Sequence, residues 1–114
     1  MINQISPKTV EAIDKFVHDR KWEQFHVPKD LAIALNGEVA EFLELFLWSG
    51  KDLNRLDKID KMKEELADIL IYSIRLAQVI GLNMDEIINA KIEINNKKYD
   101  VKKSYGNSKK YTEL

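Results

Sequence analysis

The chain of 114 residues contains no cysteine, which excludes a disulfide framework and any thiolate metal site. Proline is scarce: there are two, Pro7 and Pro28, and each stands where a helix would open. No run alternates β-branched and polar residues, so nothing competes with helix, and no repeat or low-complexity segment is present. The most apolar stretch, Ile69 to Leu82, is broken by Arg75 and is too short to cross a bilayer. The opening Met1-Ile2-Asn3-Gln4 has neither the charged nor the apolar region of a secretory leader. A net charge of −1 gives no bulk attraction to nucleic acid or anionic membrane. A soluble cytoplasmic protein with neither partner is expected. Its length, 45% hydrophobic content and 32% charged content suit one folded domain over residues 1–114.

What is present reads as all-α, with four helices and a tail. Ser6-Pro7 resembles an N-cap followed by an N1 proline, and Val10, Ile13, Phe16 and Val17 give a first amphipathic helix to about Lys21. Trp22 to Val27 forms a linker, and Pro28 opens a second helix to about Trp48, with Gly50 as its stop. A third runs from about Asp57 to Ile80 and ends at Gly81. Asn83-Met84-Asp85-Glu86 then has capping-box spacing for a fourth, to about Lys98. Residues 98–114 show no period and are expected to be irregular. The third helix is apolar on more than one side, since Leu66, Leu70 and Ile74 lie off its main stripe. That pattern predicts a central helix or one shared between subunits, most simply in a homotetramer built as a dimer of dimers.

Two helices carry acids where an apolar stripe should be unbroken. Glu38 and Glu41 form an E-x-x-E, and Glu65 and Asp68 an E-x-x-D. On a helical wheel Glu38 falls among Leu31, Ala34, Leu35, Phe42 and Leu45, and Glu65 among Met62, Ile69, Tyr72, Leu76 and Val79. Carboxylates are rarely buried unless paired or metal-bound. Four of them on two packed helices suit a hard divalent cation, Mg²⁺ or Mn²⁺. Di-iron bundles typically use Glu-x-x-His instead, and neither histidine has that spacing. The plainer alternative is a pair of solvated faces, with Lys61 or Lys63 neutralising the acids.

Two further clusters carry polar or aromatic chemistry. Trp22, Phe25 and His26 lie in the linker and Trp48 at the end of the second helix, on the wheel toward Glu41. Either indole could stack on a base or pack into the core. His26 could bond a base edge, hold a loop or act as an acid. Lys91, Asn95 and Lys98 share a face of the fourth helix. They could clamp phosphates, or simply place cations favourably at a helix C-terminus.

These segments together resemble the MazG-like all-α nucleoside triphosphate pyrophosphohydrolases, and most closely the dCTP pyrophosphatase branch. The likeness rests on Arg20-Lys21-Trp22-Glu23-Gln24-Phe25-His26, on Glu38-Val39-Ala40-Glu41 running into Glu44-Leu45-Phe46-Leu47-Trp48, on Glu65-Leu66-Ala67-Asp68-Ile69-Leu70-Ile71-Tyr72, and on Lys110-Tyr111-Thr112-Glu113-Leu114. It implies cleavage of a nucleoside triphosphate between the α- and β-phosphorus, to the monophosphate and pyrophosphate. It also implies a four-helix bundle that assembles as tetramers, with pockets drawn from more than one subunit. Glu38, Glu41, Glu65 and Asp68 match the Mg²⁺ ligands; of these, Glu38 or Glu41 is our candidate acceptor of the water's proton, a choice the sequence does not assign. Trp22, Glu23, Gln24, Phe25, His26, Trp48 and Tyr72 match nucleotide-binding positions, and Lys91, Asn95 and Lys98 match positions near the phosphates. The chain departs at Ile13, where the dCTP branch has a histidine nine residues before the tryptophan. Broad-specificity nucleotide pyrophosphatases and a non-catalytic helical interaction module are the alternatives.

Overall fold

The structure is a computed structural model that describes residues 5–114. Every regular element among them is helical. Four main helices run over Pro7–Asp19 (α1), Pro28–Glu44 (α2), Ile59–Ile80 (α3) and Met84–Lys98 (α4), and a single turn, Val101–Ser104 (α5), follows. Short 3₁₀ turns occupy Trp22–Phe25, Leu56–Lys58 and Tyr111–Glu113. The chain divides into two compact units, one ending at Gly81 and one from Leu82 to Leu114.

Local chemistry explains most of the boundaries. The Ser6 side chain accepts from the Thr9 N–H with Pro7 in the first turn, so α1 opens as the spacing predicts. Pro28 likewise opens α2. Gly81 closes α3 at φ 82°, a left-handed conformation that a glycine adopts without strain. The Asn83 side chain caps α4 by accepting from the Glu86 N–H at 3.0 Å.

Two expectations need correction. The second helix ends at Glu44, not Trp48, and Gly50 does not terminate it. Residues 45–47 tighten into i→i+3 bonds, the Arg55 guanidinium donates to the Leu45 carbonyl at 2.8 Å, and Trp48 turns left-handed at φ 63°. The wheel position assigned to Trp48 therefore does not apply. Residues 98–114 are not irregular throughout, because they contain α5 and the Tyr111–Glu113 turn. There Tyr99 meets Tyr111 edge-on, and the Lys98 ammonium lies over the Tyr111 ring at 4.8 Å.

In the first unit α2 and α3 pack against each other. Ile13 and Val17 of α1, Leu31 of α2, and Ile74 and Ala77 of α3 form the buried apolar set. Of the three residues read as a second apolar face of α3, Ile74 is core, whereas Leu66 and Leu70 are nearly half exposed. Leu43, Leu47, Leu53 and Leu56 are more exposed still. No helix among the described residues is long and apolar enough to cross a membrane.

Candidate metal centre and nucleotide cleft

Glu38 on α2 and Glu65 and Asp68 on α3 come together. One carboxylate oxygen of each lies within 4.8 Å of the other two. The half-buried placement of Glu38 and Glu65 follows from the sequence, since each interrupts an apolar stripe on a helix packed against the other. Oε2 of Glu38 and Oε2 of Glu65 are buried and have no hydrogen-bond partner. An unpartnered buried carboxylate oxygen is expensive, and two facing the same acids repel. Burial, with Glu65, Asp68 and Glu41 close by, pushes the Glu38 carboxyl up to about 7. Glu65 is also raised, first by Glu41 and then by burial. Two unmatched anionic oxygens beside a third carboxylate fit an all-oxygen site for a hard divalent cation.

Glu41 borders that trio: it is exposed and near enough to raise both Glu38 and Glu65, although the three oxygens within 4.8 Å of one another come from the other acids. Lys61 opposes the rise of Glu65 weakly, but the ion pairs of Lys61 and Lys63 are made with other acids. Lys61 reaches Glu64 at 3.4 Å and Lys63 reaches Asp60 at 3.8 Å, both exposed i, i+3 pairs on α3.

Asp68 also lines a cleft of about 640 Å³ in the first unit, bounded by α1, the Trp22–Phe25 turn and α3. Its polar and aromatic lining includes Trp22, His26, Asp68, Tyr72 and Arg75, and its apolar floor includes Ile13, Phe16 and Ile74. On α3 the residues Asp68, Tyr72 and Arg75 recur at i, i+4 and i+7, so one helical stripe carries an acid and a guanidinium along the same wall. Trp22 is neither core nor free: 40% exposed, it packs edge-on against Phe16 at 5.5 Å and lies 6.4 Å from the His26 ring.

The remaining linker residues do not line this cleft. Glu23 accepts from His18 Nδ1 at 2.8 Å, which raises His18 and lowers Glu23. Gln24 donates to the Lys21 carbonyl, and Phe25 is 61% exposed. Trp48 is 92% exposed, so within the chain it is not a core residue. In the second unit Lys91 is exposed, Asn95 half-buried and Lys98 engaged with Tyr111.

Arg75 is the residue that sequence reasoning missed. It looked like an interruption of an apolar run, yet its side chain is buried and bonded. Its Nε donates to His26 Nδ1 at 3.0 Å and its Nη1 to Gln78 Oε1 at 2.8 Å. A charged residue inside an apolar stripe was the available signal, the same one that marked Glu38 and Glu65.

Comparison with known proteins places this geometry. The model of the MazG-like family matches residues 33–114, a span that holds all four acids. The chain is 38% identical over 105 residues to dCTP pyrophosphatase 1 of Bos taurus, covering 88% of this chain and 62% of that protein. It is 37% identical to the Homo sapiens protein of the same name, with the same coverage. It thus spans 62% of the length of these relatives. The crystal structure of a pyrophosphatase from Archaeoglobus fulgidus superposes with a TM-score of 0.78 at 33% identity, over 88% of this chain and 96% of that one. With acids from both motifs facing one another on paired helices, and with a family match that spans most of its length, the chain belongs to the MazG-like family.

Proposed function

We propose that this protein is a Mg²⁺-dependent nucleoside triphosphate pyrophosphohydrolase that converts dCTP, or a dCTP modified on its base, to the monophosphate and pyrophosphate. The observation that carries the reading is the pair of unpartnered oxygens on Glu38 and Glu65 beside Asp68, at the edge of a cleft with aromatic walls. The relatives, a dCTP pyrophosphatase and an archaeal pyrophosphatase, support the same reaction.

Glu38, Glu65 and Asp68 hold the cation, and Mn²⁺ suits the same oxygen set. Bound there, such an ion neutralises charge on phosphoryl oxygens and makes water more acidic. Glu41, exposed at the border of the trio, completes the ligand set and accepts the proton of the attacking water. Trp22 offers an aromatic surface to the base, and His26 and Tyr72 offer polar atoms to the nucleotide. Lys91, Asn95 and Lys98 of the second unit are assigned to phosphate contacts by the family resemblance alone.

Assembly follows from the exposed apolar residues. Leu66 and Leu70 on α3, with Leu43, Leu47, Leu53 and Leu56, are more than an isolated chain of this size ordinarily leaves to water. A homotetramer with α3 shared between copies covers them. Trp48, held left-handed and almost fully exposed, is then available to the nucleotide or to a second copy. A bulky residue in that conformation is strained, which suits a functional position.

One observation favours a wider base preference. Ile13, which replaces the histidine of the dCTP branch, is a buried cleft residue. Comparing hydrolysis of the four deoxynucleoside triphosphates in Mg²⁺ separates the readings. A dCTP preference supports the first, equal rates support a broad pyrophosphatase, and no pyrophosphate from any of them leaves only a non-catalytic module.

A further inference from the structure

We infer that Arg75 is a positioning residue that fixes His26 as a neutral ring with its proton on Nε2, so that the cleft presents an N–H donor to an acceptor atom on the substrate's base. The inference deepens the nucleotide reading of the cleft and rests on it for the identity of the ligand, though not for the state of the ring.

A guanidinium carries donors only and keeps its proton throughout the working pH range. Because Arg75 Nε donates to His26 Nδ1 at 3.0 Å, that nitrogen has to be an unprotonated acceptor. In a neutral imidazole the single proton then sits on Nε2. The guanidinium is itself held in place. Its Nη1 donates to Gln78 Oε1 at 2.8 Å, and Gln78 Nε2 donates to Asp14 Oδ1 at 2.9 Å. Reversing the Gln78 amide would set its NH₂ against the guanidinium and its oxygen against the carboxylate, so the amide orientation is determined. The chain Asp14–Gln78–Arg75–His26 therefore reads in one direction, across α1, α3 and the linker.

Arg75 is 8% exposed, and two carboxylates face it: Asp14, 3.9 Å from Nη1, and Glu23, which Arg75 helps to hold low. Protonating His26 would break the Arg75 bond and set two cations side by side. Burial first, and Arg75 second, hold the His26 ring below the ordinary histidine range, with the Glu23 carboxylate opposing. Asp68 lines the same cleft.

The consequence is a rule for recognition. A donor at Nε2 satisfies a pyrimidine carbonyl oxygen or the unprotonated ring nitrogen of cytosine, and cannot accept from an exocyclic amino group. With Ile13 apolar in the same cleft, His26 selects for an acceptor edge and does not itself tell cytosine from uracil or thymine through their shared carbonyl.

The chain has two histidines, and they predict opposite signatures. His18 faces the Glu23 carboxylate through Nδ1 and is protonated there, whereas His26 is protonated at Nε2. Long-range ¹H–¹⁵N spectra of full-length protein labelled at histidine, without nucleotide, distinguish the two, with His26→Ala to assign them. A His26 ring protonated on Nδ1, or on both nitrogens near pH 7, overturns the proposal whatever the protein hydrolyses. In Arg75→Met the His26 ring should become a mixture of tautomers, and Arg75→Lys should restore part of the Nε2–H population. The KM for dCTP should rise about 3- to 10-fold in Arg75→Met, the cost of one disordered hydrogen bond, with kcat within about twofold. The double variant with His26→Ala should bind no worse than His26→Ala alone. An Arg75→Met ring that stays on Nε2, or additive losses in the double variant, refutes the positioning role. Nε2–H in a protein that releases no pyrophosphate supports the ring assignment and overturns the functional reading instead.

Discussion

Removing the cation should make the protein's stability depend on pH in a direction opposite to ordinary acid denaturation, through Glu38. Its carboxyl is pushed up to about 7 by burial and by the acids around it. An acid whose folded pKa lies above its unfolded value binds more protons folded than unfolded between the two. Stability from this group is therefore complete at or below about pH 4.5 and is lost as pH rises through about 7. A rise from 4.5 to about 7 corresponds to at most about 3–4 kcal/mol. Glu38 is only partly buried and its oxygens share one cluster, so solvent screening brings the expected effect to about 1–2 kcal/mol. Glu38→Gln keeps the shape and removes the charge. In EDTA the variant should match wild type near pH 5 and exceed it near pH 8 by that amount, about 4–8 °C in Tm for a chain of this size. Thermal unfolding followed by helical circular dichroism at both pH values makes the comparison. Added Mg²⁺ should then raise the Tm of wild type at pH 8 and leave the variant nearly unmoved, because the ion binds the folded state alone. A metal-free wild type equally stable at pH 5 and pH 8, or a variant less stable than wild type at pH 8, would refute the electrostatic argument.

Trp48→Ala should leave Tm unchanged, because the indole is 92% exposed, yet raise KM about 5- to 150-fold if it stacks on the base at roughly 1–3 kcal/mol; a fall in Tm with unchanged KM would mean that it packs against protein instead. Asn83→Ala removes the cap bond to the Glu86 N–H and should cost about 1 kcal/mol in urea unfolding, with no change in stability arguing against the cap. Light scattering at micromolar concentration should give the mass of four chains, and a stable monomer would contradict the assembly.

The placement of Glu38 and Glu65 was legible because one side chain of the wrong polarity in an apolar stripe is visible from helical periodicity alone. The same logic singles out Arg75 but not its partners, which are spread along the chain: His26 lies 49 residues away. Periodicity gives the face of a helix but not the register between two helices. That is why the spacing of Glu41, one turn from Glu38, does not by itself say that it borders the trio at its exposed edge. The end of α2 was illegible for a related reason. Arg55, ten residues on, takes the Leu45 carbonyl, and Gly50 in the sequence offered a more obvious stop. The single turn Val101–Ser104 is too short to show a period.

The central claim is that the Glu38–Glu65–Asp68 cluster holds the cation for pyrophosphate release. Phosphorus NMR of dCTP incubated with wild type, Glu38→Gln or Glu65→Gln, each with Mg²⁺ and with EDTA, tests it most directly. The account predicts dCMP and pyrophosphate from wild type in Mg²⁺ alone, and unchanged dCTP from both variants, whose helical circular dichroism stays that of wild type. Orthophosphate as the first product, turnover in EDTA, or variants as active as wild type would contradict it.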